Sequence, residues 1–519
     1  MDREALIEQL DAVATWDVLV IGGGATGLGV GLDAAARGYQ AVVLEQGDFA
    51  QATSSRSTKL IHGGVRYLQQ GNVALVMEAL HERGRLLHNA PHLVYNQAFV
   101  VPDYKWWERP FYGVGLKLYD MLAGKLGFGR SRMLSRSQTL EYIPQLRQDG
   151  LRGGVIYHDG QFDDTRLAVT LAQTMVDQGG CALNHVQVTE VCKDAEGVVQ
   201  GVVCQDRISG REYRLNAKVV VNAAGIFVDE IRRMDVPDCT PLIAPSQGVH
   251  LVLDNRFDPG ETAIMVPHTD DGRIIFMVPW HGRVLVGTTE TSLESVALEP
   301  RPLPEEIEFL LSHASRYLDQ PVHREDILSV FAGIRPLIAG EEAAKTSSLS
   351  RGHHLTVSHS GLVTIGGGKW TTYRKMAEDT VDTAAQFAGL EERPCPTQHM
   401  RLHGWTAEAD SNDFLSLYGT DRAAIESLMR TDPDLADRIH PRLPYRKAEV
   451  VWGTRQESAR TVADILAHRT RALLLDARAS MEAAPEVARL MARELSRDEE
   501  WQAAEIARYC DKAAFFYPE

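Results

Sequence analysis

Three short apolar runs, each ending in small residues, punctuate the chain at wide intervals. Trp16–Ile21 leads into Gly22-Gly23-Gly24, residues 218–221 into Ala223-Ala224-Gly225, and residues 362–365 into Gly366-Gly367-Gly368. Short apolar runs bounded by glycine read as strands buried on both faces, as in a parallel sheet. Residues 25–37 follow the first run as an alanine-rich helix and Ala41–Leu44 as a second strand, so the N-terminus predicts a β-α-β unit. Residues 198–203, 250–253, 273–279 and 283–286 have strand character suited to an antiparallel sheet, expected to form a cap. Beyond Leu390 the run Glu391-Glu392-Arg393-Pro394-Cys395-Pro396 breaks the pattern, and the Ala-, Leu-, Arg- and Glu-rich remainder predicts helices.

Gly22-Gly23-Gly24-Ala25-Thr26-Gly27 satisfies G-x-G-x-x-G between a strand and a helix, where absent side chains let a pyrophosphate reach backbone amides at the helix N-terminus. Glu45 ends the second strand, where a carboxylate accepts hydrogen bonds from ribose hydroxyls. The hydroxyl-rich run Thr53-Ser54-Ser55-Arg56-Ser57-Thr58-Lys59 suits pyrophosphate oxygens and the polar edge of a flavin, which favours FAD over NAD. The fold expected is therefore α/β, an FAD-binding Rossmann-like region assembled from three segments, with an antiparallel-sheet cap and a C-terminal helical domain. The FAD-binding segments are expected at about 14–90, 150–230 and 330–390, the cap at about 91–149 and 231–329, and the helical domain at 391–519.

A chain of 519 residues has material for two or three such units. Its net charge of −16 argues against nucleic acid as a partner, so any anion must be captured locally. The six cysteines show no Cys-x-x-Cys spacing, so neither a disulfide nor a metal site is expected. The start of the chain reads as a short amphipathic helix without an export signal, and no apolar run is long enough to span a bilayer, which predicts a cytoplasmic location.

Two segments carry a resemblance. Ala52-Thr-Ser-Ser-Arg-Ser-Thr-Lys-Leu-Ile-His-Gly-Gly-Val-Arg-Tyr-Leu68 and Gly366-Gly-Gly-Lys-Trp-Thr-Thr-Tyr-Arg374 resemble the signature segments of FAD-dependent, quinone-linked glycerol-3-phosphate dehydrogenases. Tyr157-His-Asp-Gly-Gln-Phe-Asp-Asp-Thr-Arg-Leu167, Val284-Leu-Val-Gly-Thr-Thr-Glu290, Phe331-Ala-Gly-Ile-Arg-Pro-Leu337 and the helical tail extend the likeness nearly end to end. One departure is Ile226-Phe227, where the family commonly has Pro-Trp. The resemblance implies FAD as cofactor, sn-glycerol 3-phosphate as substrate and a membrane quinone as electron acceptor.

Carried onto this chain, the cofactor set comprises Gly22, Gly24, Gly27 and Glu45, with Thr53, Ser54, Ser55, Ser57, Lys59, Leu60 and Ile61 from the second segment. Ala224 and Gly225, then Gly367, Gly368, Lys369, Thr371 and Thr372, complete it. Lys369 would lie near the flavin pyrimidine, where positive charge favours the reduced cofactor. Oxidising a secondary alcohol needs a base for the hydroxyl proton and cations for the phosphate. His62 is the first candidate base and His250 the second. Arg66, Arg335 and Arg351 would hold the phosphate, with Arg66 and Arg335 closest to the chemistry, while Tyr67, Thr288 and Thr289 would bond substrate hydroxyls. Arg335 is the most telling, because the surrounding run is otherwise apolar or small and a buried cation requires an anion. Asp163 and Asp164 precede a helical run and are expected to cap it.

Between residues 105 and 132, Lys105, Arg109, Lys117, Lys125, Arg130 and Arg132 outnumber Glu108 and Asp120 among interspersed aromatics. That mixture suits a segment lying in a lipid interface, as an enzyme that reduces a bilayer quinone requires. The location then refines to the inner face of the cell membrane, held peripherally. A homodimer is compatible with the sequence. A soluble oxidase passing electrons to oxygen and a non-catalytic flavin-binding module remain open alternatives, whereas an amino-acid oxidase would not call for three converging arginines.

Overall fold

In the computed structural model the described residues are 1–64, 72–124, 127–258, 260–339, 352–408, 410 and 413–517. Among the described residues, two sheets and a helical domain make up the fold. The first sheet runs His353–Val357, Val363–Gly367, Glu212–Asn222, Trp16–Ile21, Ala41–Leu44, Cys181–Leu183. Its four central pairings are parallel, so the three apolar runs lie side by side and end at one edge. The Ala25–Ala36 helix packs between Asp164–Asp177 and Tyr373–Phe387, burying Leu28, Val30 and Leu32 with Val381 and Leu171. Asp163 caps Asp164–Asp177 by accepting the Arg166 amide at 2.9 Å.

The second sheet has ten strands, and its long members include Val94–Asp103, Gly153–Phe162, Ile243–Asp254 and Ile327–Ile338. The Pro304–Tyr317 helix covers one face through Ile307, Leu310 and Ala314. Three segments sit differently from expectation. Val199–Asp206 is not a cap strand; it pairs with Glu212–Asn222 in a meander at the edge of the first sheet. Conversely, Gly153–Phe162 and Ile327–Ile338, expected among the FAD-binding segments, pair within the second sheet. A strand buried on both faces has the same composition in either sheet, and only its pairing partner decides between them.

The C-terminal region is helical, built on Arg422–Thr431, Lys447–Gln456, Ala477–Leu495 and Glu499–Ala513. Residues beyond 390 first run back along the α/β unit, where Asn89 donates to the Thr397 carbonyl and Arg393 to that of Arg37. Buried charge pairs then clamp the helical domain to the rest: Arg166 forks onto Glu457 at 2.5 and 2.8 Å, and Arg469 onto Asp48 at 2.6 and 3.0 Å. Such pairs stabilise little relative to apolar packing, but losing one partner strands a buried charge.

His403 bridges the same joint, between Asp177 at 2.7 Å and Asp421 at 2.9 Å. Hydrogen bonding to these carboxylates raises it from its ordinary 6.5 to about 9. A raised folded-state pKa stabilises fully below the unfolded value and ceases to as pH rises through the folded one. His403→Ala should therefore lower the urea midpoint most at pH 6 and converge on the parent above about pH 9, as denaturation at a series of pH values will read.

Candidate functional site

One large cleft opens between the two sheets at the edge where the apolar runs end, enclosing about 2890 Å³ including its mouth. Parallel strands present their carboxyl ends to ligands at such a crevice. Gly24 occupies the N-cap of Ala25–Ala36 and supplies no side chain to its first amides, so a helix N-terminus faces the cleft as an anion site. The turn is tight enough that only glycine fits: a Cβ on Gly27 would lie 1.8 Å from the Gly22 carbonyl oxygen, and one on Gly22, at φ +110°, 2.6 Å from that of Ala223. Glu45 accepts the Gly23 amide at 2.7 Å and the Gly47 amide at 2.8 Å, which holds its carboxylate at the cleft wall. Burial pushes its pKa up, and the two amides oppose that shift.

The hydroxyl-rich loop is the meeting point of distant segments. Ser54 Oγ accepts the Ala25 amide at 3.0 Å, and its carbonyl accepts the Trp370 indole at 2.8 Å. Thr53 donates to the Ile334 carbonyl at 2.7 Å. The His62 amide donates to Thr371 Oγ1 at 3.2 Å, joining the stretch after the hydroxyl-rich loop to the third glycine segment. Thr53, Ser54, Ser57, Leu60, His62, Ala224, Gly225, Gly367, Gly368, Lys369 and Thr371 all line the cleft with Gly22 and Gly24.

Five expected cofactor residues do not. Gly27 serves the turn beneath, Ile61 is buried in the core, and Ser55 turns its hydroxyl onto the Gln51 and Ala52 carbonyls. Thr372, at the N-cap of Tyr373–Phe387, donates to the Lys369 carbonyl rather than capping the helix. Lys59 points inward, donating to Asp164 at 2.6 Å and to the Ser55 carbonyl at 2.7 Å, because a desolvated ammonium needs a carboxylate more than a loop position suggests. Burial lowers it to about 7, against the pull of Asp164. Asp164 is thus more than a helix-start residue, since it also accepts from Ser57 at 2.7 Å.

On the opposite wall, Arg335 donates to Thr288 Oγ1 and the Thr289 carbonyl, both at 3.2 Å, and to the Gln247 carbonyl at 3.3 Å. Gly248 makes room for it: a Cβ there would fall 2.4 Å from Arg335 Nη2. Thr288 lines the cleft beside it, whereas the Thr289 hydroxyl is spent on the Val249 amide and Glu306. His250 also lines the cleft, stacked on Phe331 at 4.9 Å and sharing a 2.9 Å hydrogen bond with Thr58. Burial, then the charges of Lys59 and Arg335, lower its pKa well below the usual imidazole value, so the ring is neutral. Arg66, Tyr67 and Arg351 lie outside the described residues.

Some contributors escaped the sequence reading. Tyr119 accepts the Gly63 amide at 2.7 Å and donates to Asp159 at 2.8 Å, while Arg83 pairs with the same carboxylate at 2.5 Å, so the backbone next to His62 rests on a buried trio. Phe99 and Tyr157, stacked at 5.1 Å, form an apolar part of the wall. The signal for Tyr119 was the inward face of Glu108–Ala123, where Tyr112, Leu116, Tyr119 and Ala123 recur at helical spacing.

A glycine cradle, a glycine-capped helix N-terminus, a carboxylate at the second strand and a hydroxyl loop facing one crevice define a nucleotide-dependent oxidoreductase, and residues 17–374 match the FAD dependent oxidoreductase family. Residues 360–502 match the C-terminal domain of alpha-glycerophosphate oxidase. Mitochondrial glycerol-3-phosphate dehydrogenase of Mus musculus is 40% identical over 532 residues, which span 96% of this chain and 73% of the relative. A probable mitochondrial counterpart in Caenorhabditis elegans is 41% identical over 99% of this chain and 75% of its own. The glycerol-3-phosphate dehydrogenase from Bacillus halodurans, solved with FAD, superposes with a TM-score of 0.81 at 31% identity, covering 99% of this chain and 98% of that one. The chain belongs to the FAD-dependent glycerol-3-phosphate dehydrogenase family, and its cofactor is FAD.

Because backbone leaves no room at Gly27, Gly27→Ala should purify without the flavin band near 450 nm while keeping the parent's far-ultraviolet circular dichroism; a yellow variant would show that the cradle is not needed.

Proposed function

We propose that this protein oxidises sn-glycerol 3-phosphate to dihydroxyacetone phosphate and hands the electrons to a membrane quinone. The observation that carries the reading is Arg335, a guanidinium presented by a strand with no other charged residue into the same cleft as the glycine cradle. Bound FAD supplies the two-electron acceptor for a hydride from the substrate carbon. Arg335 holds the phosphate, its guanidinium oriented by the Thr288 hydroxyl and the Gln247 and Thr289 carbonyls. Thr288, whose hydroxyl accepts from Arg335 at the cleft wall, orients a substrate hydroxyl. His62 takes the hydroxyl proton, its backbone held by Thr371 and, through Gly63, by Tyr119. His250, its ring hydrogen-bonded to Thr58 and held at the cleft wall, presents a neutral imidazole to the substrate. Lys369, in the third glycine segment, places positive charge where the cofactor gains electrons.

The quinone reading draws support from the outer face of Glu108–Ala123. Val114 and Met121 are each 70% exposed, with Leu118 between them and Phe111 and Trp106 before, so an apolar stripe faces outward while Tyr112, Leu116 and Tyr119 face in. Lys105, Lys117, Arg130 and Arg132 are exposed around it. An apolar stripe rimmed by cations suits the surface of an anionic bilayer. No helix among the described residues is long and apolar enough to cross a membrane.

The reading is tested by anaerobic titration with sn-glycerol 3-phosphate, which should bleach the flavin, followed by reoxidation with a quinone analogue or with air. Fast recovery with the quinone alone is expected, and faster recovery with air would make the protein an oxidase. Arg335→Ala should raise KM by roughly 30-fold or more, as removal of a buried charged partner does, with FAD content unchanged. His62→Ala should slow flavin reduction by about 10²–10⁴-fold at saturating substrate, and stopped-flow bleaching at the parent's rate would remove it as the base.

A further inference from the structure

We propose that Arg471, a residue of the helical domain, is a positioning residue for the cleft-facing loop 53–59, so that the helical domain completes the FAD site. The guanidinium is fully enclosed, with 2% of the residue exposed. One of its terminal nitrogens, Nη2, donates to the Ser55 carbonyl at 2.8 Å and to Asp164 at 3.1 Å. The other, Nη1, donates to Thr165 Oγ1 at 2.6 Å and to the Ala467 carbonyl at 2.8 Å. Among the described residues, no other hydrogen bond from the helical domain reaches residues 53–59.

These bonds act on the loop from behind. The Ser55 carbonyl accepts both Arg471 and Lys59, and Asp164 accepts Arg471, Lys59 and Ser57. Two cations from different domains thereby share one carboxylate and one backbone oxygen, which turns that oxygen inward and leaves Thr53, Ser54 and Ser57 at the cleft wall. Arg471 holds a φ of +61°, a conformation that a non-glycine residue keeps only where its surroundings enforce it. The neighbouring clamps differ in kind. Arg469 and Arg166 end on Asp48 and Glu457, neither of which belongs to the loop 53–59. A lysine at position 471 keeps the charge but, as a point donor, cannot span four acceptors on both sides.

The inference rests on the loop facing the flavin, and the test separates the two. Hydrogen–deuterium exchange of residues 53–59 is followed in the FAD-bound parent, in the FAD-bound variants Arg471→Lys, Arg469→Lys and Thr165→Val, and in the parent stripped of FAD. Stripping should speed exchange in the parent loop; unchanged exchange there would remove the flavin-facing reading itself. Arg471→Lys should speed loop exchange about tenfold or more, the loss of one charge-assisted hydrogen bond, and release FAD faster, whereas Arg469→Lys lowers the melting temperature and leaves loop exchange at the parent's rate. Equal loop exchange in the two lysine variants would reduce Arg471 to an ordinary clamp and overturn the proposal. Should Arg471→Lys not fold, Thr165→Val decides: it frees one side of the guanidinium and should speed loop exchange several-fold, and exchange at the parent's rate would overturn the proposal equally.

Discussion

The whole arrangement depends on where the backbone of one hydroxyl-rich loop is held. Residues 53–59 accept hydrogen bonds from the Ala25–Ala36 helix, the third glycine segment and the helical domain, and donate one to the arginine-bearing strand. No single one of these is large, since a typical hydrogen bond contributes about 1 kcal/mol net. Together they bring four separate stretches of chain to one cleft wall, with Asp164 and Lys59 as the buried charges behind it. A loop free to move would present its hydroxyls to water rather than to a cofactor.

Charge is handled locally rather than globally. The chain is strongly acidic, yet its cleft combines a helix N-terminus with Arg335 and Lys369, a local concentration of positive groups against the global sign. On the outer surface, the stripe of Glu108–Ala123 concentrates apolar area beside exposed cations. The same helix turns Tyr119 inward to the backbone beside His62, so the surface read as a bilayer contact and the backbone next to the residue read as the base are joined through one helix.

Much of the cofactor site was legible before any coordinates. The glycine turn, Glu45 and the three apolar runs are local patterns whose geometry follows from missing side chains and strand periodicity. Arg335 could be singled out because a lone cation in an apolar strand has few physical resolutions. By contrast, Lys59 looked like a cofactor contact and is a buried support, and Val199–Asp206 looked like a cap strand and extends the nucleotide-binding sheet. Both errors arise where a residue's neighbours in sequence say little about its neighbours in space.

By itself, then, the sequence determined the cofactor class, the order of strands and helices and the candidate anion-binding arginine, because each is set by backbone sterics or by the cost of burying charge within a few residues. Only the tertiary structure decided which sheet each strand joins, which way Lys59 and Ser55 face, and that Tyr119, Asp159 and Arg471 stand behind the site. Those outcomes hinge on partners one hundred to four hundred residues away, and pairing across such distances is settled by the packing of the whole chain.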